Sequence, residues 1–249
     1  MKTSLKLITL ALLLNWAPLQ ADHHAAPTQA VAMESAICQL NSGQSMDDFN
    51  GAIETFKTWA KNNDYNTLMT VNTPLYIGGG TDIDIDILML EFTSYENMGT
   101  GWDKIGQTGA EMLAAVDAAA SCQRALAHYF PFHAADSIAE DDDRVLVVNW
   151  CTRHDGVSWD DLNAVHRSWE FDDMTGYAGM IVPALGIRDG DYPGEFGHLR
   201  VYKDAATLLA VQNQIANEGG WRPREDYFDN YADCAGSNAY LQSVVTSPN

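Results

Sequence analysis

Residues 196–202, FGHLRVY, set an imidazole and a guanidinium two positions apart, at His198 and Arg200. On a β-strand that spacing puts both side chains on one face. Such a pair is equipment for acid/base chemistry on an anionic molecule: His198 would move the proton and Arg200 would clamp the charge. A buried arginine must find an acceptor, so an internal ion pair with an Asp or Glu is the competing reading. A second segment, NWCTRHD at 149–155, adds Trp150 and His154, and Tyr202 ends the first. Trp150 and Tyr202 are candidate pocket walls or ordinary core. His154, just before Asp155-Gly156, is a candidate ligand contact or a solvated turn residue.

Three further groups invite metal chemistry. His166 falls on a helix face that packs on a sheet, where a hydrogen-bonded core histidine competes with a haem or metal ligand. The alternating Asp82, Asp84 and Asp86 suggest calcium, but carboxylates on one straight strand lie along a line. Counting from Asp82, the sixth and twelfth positions are Ile87 and Thr93, where an EF-hand needs Gly and Glu. A charged strand end that discourages edge pairing is the better reading. Cleavage after Ala21 would leave Asp22-His23-His24 at the terminus, which chelates Cu(II) or Ni(II) in a square plane or is simply a disordered tail.

The elements that must position these residues come from a repeat. WCTRHDGVSWDDLN (150–163) echoes ICQLNSGQSMDDFN (37–50) without a gap, with six of fourteen positions identical. In both copies a Ser three residues before an Asp marks a helix N-cap, Ser45 with Asp48 and Ser158 with Asp161. Asp47 and Asp160 add negative charge to the first turn, where the helix dipole favours it, and Gly43 and Gly156 supply a left-handed turn before the cap. Phe49, Ala52, Ile53 and Phe56 then fall at helical spacing, matched by Leu162, Val165, His166 and Trp169.

Each copy reads as strand, helix, strand, strand, helix, strand. The strands are predicted near 34–40, 67–77, 82–92 and 126–132, and near 145–152, 177–183, 196–202 and 239–245. The second helices are predicted at 104–125 and 204–218. The chain therefore divides into a first unit at 33–135, an acidic linker at 136–143 and a second unit at 144–249. This βαββαβ order is the split βαβ, or ferredoxin-like, arrangement, so the fold class is α+β. Each unit carries one Cys on its first strand and one at the end of its last helix, which pairs Cys38 with Cys122 and Cys151 with Cys234. No C-x-x-C occurs, so structural bridges are expected rather than redox or metal thiols.

The compartment is read from the first residues. Lys2 and Lys6, the apolar run Leu7–Leu14 and small residues up to Ala21 predict a signal peptide at 1–21, followed by a flexible stretch at 22–32. The protein is thus expected in the periplasm or outside the cell, with no membrane segment after cleavage. Formal net charge is −20 and becomes −22 once the two lysines leave, so nucleic acid and anionic lipid are disfavoured partners.

A tandem βαββαβ chain resembles the dimeric α/β-barrel superfamily, which includes the antibiotic-biosynthesis-type monooxygenases. The resemblance implies two sheets facing each other to form one barrel in a single chain. It implies small apolar or aromatic ligands between the sheets, with haem in some relatives. It is one of architecture and carries no site residue over.

Strand alternation then assigns faces. With Cys38 and Cys151 toward the helices, Ile37, Gln39 and Asn41 point into the barrel, as do Val148, Trp150, Thr152 and His154. Ile85, Ile87, Met89, Leu199 and Val201 suit the helix side. That leaves Leu88, Leu90 and Phe92 as an apolar inner wall, and Phe196, His198, Arg200 and Tyr202 as a polar one. The leading functional reading is an exported protein that binds a small apolar or aromatic molecule, including a monooxygenase-like enzyme without a tightly held cofactor. The alternatives are a haem protein with His166 or His198 as axial ligand, although no C-x-x-C-H motif occurs, and a non-catalytic surface or assembly protein whose barrel is only a core. The oligomeric state is left open.

Overall fold

The computed structural model describes residues 29–78, 85–134, 143–171, 175–186 and 194–247. The predicted signal peptide, the Asp22-His23-His24 motif, Asp82, Asp84 and residues 136–142 of the linker lie outside them. The first half runs β1 (Val31–Leu40), α1 (Met46–Asn62), β2 (Leu68–Tyr76), β3 (Ile87–Thr93), α2 (Tyr95–Thr108), α3 (Ala110–Ala119) and β4 (Ala120–Ala134). The second runs β5 (Asp143–Arg153), α4 (Trp159–Ser168), β6 (Thr175–Leu185), β7 (Phe196–Tyr202), α5 (Ala205–Asn217), α6 (Trp221–Asn230) and β8 (Ala232–Thr246).

Both first helices start as their sequences dictate. The Ser45 and Ser158 hydroxyls accept from the backbone N–H groups of Asp48 and Asp161, and each Asp carboxylate accepts from its Ser N–H, at 2.8 and 2.9 Å. Each Ser hydroxyl also donates to that carboxylate at 2.6 Å, and this bond first, then the one from the Ser N–H, holds both carboxyls below their ordinary range. Gly43 and Gly156 sit at φ +83° and +87°, a left-handed backbone that a side chain resists.

The eight strands close into one barrel in the order β1-β3-β2-β8-β5-β7-β6-β4. Each half contributes a four-strand sheet, β4-β1-β3-β2 or β8-β5-β7-β6, in the split βαβ order. The antiparallel pairs β2–β8 and β4–β6 join the sheets at both edges, so among the described strands no sheet edge is left open. Helices cover the outside. Phe49, Ile53 and Phe56 of α1 pack with Met112 and Val116 of α3 on the outward residues Cys38, Ile87 and Met89. Leu162 and Tyr227 pack likewise on Cys151, Met180 and Phe196.

Both disulfides form as predicted, Cys38–Cys122 and Cys151–Cys234. The position of the second cysteine in each pair differs from expectation. Cys122 and Cys234 lie on the last strands, directly opposite Cys38 and Cys151, rather than at helix ends. The sequence 104–125 breaks at Gly109, which ends α2 and starts α3, and the chain is already extended by Ala120.

Candidate functional site

The cross-strand register decides which residues face the barrel, because directly opposed residues on antiparallel strands share a face. Cys38 is opposite Ile87 and Cys151 is opposite Phe196, so Ile87, Met89, Phe196 and His198 face the helices. Leu88, Leu90 and Phe92 face inward as expected, together with Leu199 and Val201. The assignment of β7 by hydrophobicity is therefore corrected. Phe196, His198, Arg200 and Tyr202 lie on the helix side, and Leu199 and Val201 on the barrel side. Both faces of β7 are buried, so its apolar residues fit either face and only the register distinguishes them.

A cavity of about 60 Å³ opens between the strands at the end of the barrel where β1 and β5 finish. Leu88, Leu90, Val148 and Trp150 line it as the sequence suggests. So do Ile37 and Ile85, the latter a correction: it precedes β3 and turns into the mouth. Ala125, Ala127, Ile181 and Pro183 close the opposite wall. The lining residues that carry polar side-chain groups are Ser35, Trp150, Asn238 and Tyr240. Asn238 is buried and its Oδ1 accepts from the Gly78 N–H at 3.0 Å.

Asn238 and Tyr240 were not legible by counting. Cys234 faces outward, so strict alternation would send 238 and 240 outward too. A β-bulge intervenes: Cys151 pairs with Cys234 but Asn149 pairs with Ser237. The extra residue reverses the alternation and turns Asn238 and Tyr240 into the barrel. Gly236, beside the Cys, is the signal that could have found it, since glycine inside a strand marks a bulge.

The other end of the barrel is filled. Gln242 Nε2 donates to Asn72 Oδ1 at 2.9 Å, and Asn72 Nδ2 donates to the Leu88 carbonyl at 2.7 Å. Arg144 is buried with its guanidinium 5.5 Å from the centre of the Tyr177 ring. Phe92 packs edge-on against Tyr129, 5.0 Å between centroids, and belongs to this packed end rather than to the cavity.

The remaining sequence candidates lie elsewhere. His154 follows the end of β5, with its imidazole 3.5 Å from the Asp233 carboxylate, outside the barrel. Gln39 and Thr152 are exposed, and Asn41 Nδ2 donates to the carbonyls of Asp117 and Ala118 at the end of α3. Beyond Ile37 and Trp150 the strands have left the barrel, so alternation no longer means inside and outside. Tyr202 is buried under α5 with Val145 and Leu208. Asp86 accepts from the Leu40 N–H at 2.8 Å, which ties the start of β3 to the end of β1.

His198 and His166 meet beneath α4 and α6. Their Nε2 atoms are 2.9 Å apart, and the Tyr227 hydroxyl lies 3.0 Å from His166 Nε2. Burial, with Arg200 nearby, keeps His166 neutral down to about pH 3, and burial, with His166 and Arg200 nearby, holds His198 well below its ordinary value. The Arg200 guanidinium lies 5.4 Å from the centre of the Trp169 ring. Phe132 and Trp169 pack against the His166 imidazole with centroids 4.7 and 4.6 Å away. In this arrangement neither Nε2 is open to a haem iron, because each faces the other, with Phe132 and Trp169 against the His166 ring.

No protein-family model matches the chain, and no curated protein matches it. Solved structures do resemble it in fold. One, a "putative monooxygenase" of Lactobacillus acidophilus NCFM, is 10% identical, with a TM-score of 0.51 over 88% of this chain and 97% of that one. Another, a "putative monooxygenase" of Fusobacterium nucleatum, is 13% identical, with a TM-score of 0.53 over 88% of this chain and 95% of that one. At such identities the likeness is one of fold. The chain adopts the dimeric α/β-barrel fold, with both sheets supplied by one polypeptide.

Proposed function

We propose that the protein is exported and binds a small, mainly apolar molecule carrying one hydrogen-bonding group in the barrel cavity. The observation that carries this reading is the cavity itself, an apolar wall on which Ser35, Trp150, Asn238 and Tyr240 converge from three strands. Such a lining is what a small-molecule site needs. A volume of about 60 Å³ is less than half of the ~150 Å³ cavity that accepts benzene. The occupant is therefore a compact group, or the apolar end of a longer molecule whose remainder sits at the mouth. Export is supported by the charged and apolar pattern of residues 1–21 and by two disulfides.

The names of the two structural neighbours favour a monooxygenase-like activity as a finer reading. Among the described residues the cavity lining contains no Asp, Glu, His or Lys. The chain's own contribution to any reaction there would be orientation and hydrogen bonding by the hydroxyl, indole and amide groups.

The test is native mass spectrometry of the protein recovered after export, beside Ala127→Leu, which fills the cavity. The expected result is a chain beginning near residue 22 that retains a small molecule, with the adduct lost in the variant. An adduct unchanged by the substitution would place the ligand elsewhere, and retention of residues 1–21 would remove export.

A further inference from the structure

The two halves treat equivalent disulfides differently. The register aligns His198 of β7 with Met89 of β3, and the repeat aligns His166 with Ile53. The first bridge therefore lies in a cluster of aliphatic, thioether and aromatic side chains that, among the described residues, includes no imidazole. The second has an imidazole against it, with His198 Nδ1 3.7 Å from Cys151 Sγ. Sγ of Cys151, Sγ of Cys234 and a ring nitrogen of His198 all lie within 4.8 Å of one another. This cluster is separate from the barrel cavity, on the opposite face of the same sheet.

We propose that Cys151, Cys234 and His198 form a binding site for a thiophilic cation of the zinc type when the disulfide between the two cysteines is reduced. The geometry is nearly in place. Metal–sulfur and metal–nitrogen bonds of ~2.3 and ~2.05 Å at a tetrahedral angle put sulfur and nitrogen ~3.6 Å apart, against the 3.7 Å present between Cys151 and His198. The Cys234 sulfur, within 4.8 Å of the other two ligand atoms, must part from Cys151 to ~3.8 Å and stand ~3.6 Å from the imidazole nitrogen by the same arithmetic.

The surroundings suit a ligating imidazole. With Nδ1 on the cation, the His198 proton resides on Nε2 and is donated to His166 Nε2 at 2.9 Å, with Tyr227 beside it. A hydrogen bond from the second ring nitrogen is what orients metal-binding histidines. The Asn149 amide donates to Cys151 Sγ at 3.5 Å, a further contact that steadies a thiolate.

Opening the site requires two electrons, which a dithiol supplies. One thiolate of the dithiol attacks the sulfur of Cys234, which is less buried than Cys151, and Cys151 leaves as a thiolate. The second thiol then releases Cys234, and the reductant departs as its cyclic disulfide. Binding of a divalent cation displaces the protons of the two thiols to solvent. Three protein ligands leave one position for water or another donor.

The test is anaerobic titration of the reduced full chain with cobalt(II), which reports thiolate ligation by its charge-transfer absorption and tetrahedral geometry by its visible bands. A phosphine reductant keeps competing thiols out of the assay. The expected result is one tightly bound cobalt in reduced protein and none in oxidised protein. Cys38→Ala/Cys122→Ala should bind as wild type does, whereas His198→Met, which copies Met89, should bind at least tenfold more weakly. His198→Gln serves as a second variant that keeps a polar group, and far-UV circular dichroism checks that each protein stays folded. Absence of the charge-transfer band, full binding by His198→Met, or cobalt uptake only on unfolding would each overturn the proposal.

Discussion

Trp150 lies against Gly197, the residue directly opposite it on β7, and that contact sets the position of the indole in the barrel cavity. A Cβ built on Gly197 would approach the indole carbons Cε3 and Cζ3 to 3.3 Å. Gly179 on β6, diagonal to Tyr129 of β4, makes a tighter contact at the packed end, where an added Cβ would meet the Tyr129 ring at 2.3 Å. In both, glycine provides the space for an aromatic side chain on a facing strand.

Gly179→Ala should therefore be the more damaging change. It forces a buried ring to move within a filled core and should lower stability by ~2–3 kcal/mol, whereas Gly197→Ala should cost ~1 kcal/mol or less. Denaturant unfolding of both variants checks the order, and equal effects would contradict it.

Each capping box should contribute measurably to its helix. Ser45→Ala and Ser158→Ala each remove the hydroxyl that accepts from the third helical N–H, and each should lower stability by ~1 kcal/mol. Ser158→Asp should retain most of it. Thermal unfolding gives the comparison.

Glu91 predicts a pH dependence of the first half. It is held up to about 7 by burial, in which Glu34 assists, against the hydrogen bond from Tyr65 that lowers it. Between the ordinary pH 4.5 and about 7, the folded protein keeps a proton that the unfolded chain has lost. This contribution is complete below 4.5 and disappears as pH rises through 7, by ~2 kcal/mol allowing for the partial exposure of Glu91. Glu91→Gln should remove that part of the stability–pH curve, and an unchanged curve would assign it to other groups.

The repeated Cys, Gly, Ser and Asp residues made the architecture legible, because each has a local physical reason to recur: a bridge, a left-handed turn, a cap. The same alternation placed Ile37, Leu88, Leu90 and Trp150 correctly at the cavity. It failed on β7, where both faces are buried and His198 and Leu199 differ by one register step. It also could not reach Asn238 and Tyr240, which the bulge beside Gly236 turns inward. Helices α2 and α6 were missed for a related reason: their amphipathic patterns are broken by the turns at Gly109 and Gly219-Gly220 and merge with their neighbours.

Ligand-observed NMR with a panel of short alkanols, cyclic ketones and phenols decides whether the cavity takes a ligand. Saturable one-site binding of at least one class to the wild-type protein is expected. Ala127→Leu should weaken it tenfold or more, ~1.4 kcal/mol, and Asn238→Ala should weaken the hydroxyl- or carbonyl-bearing members selectively. No saturable binding across the panel, or binding that folded Ala127→Leu retains in full, would contradict the cavity as a ligand site.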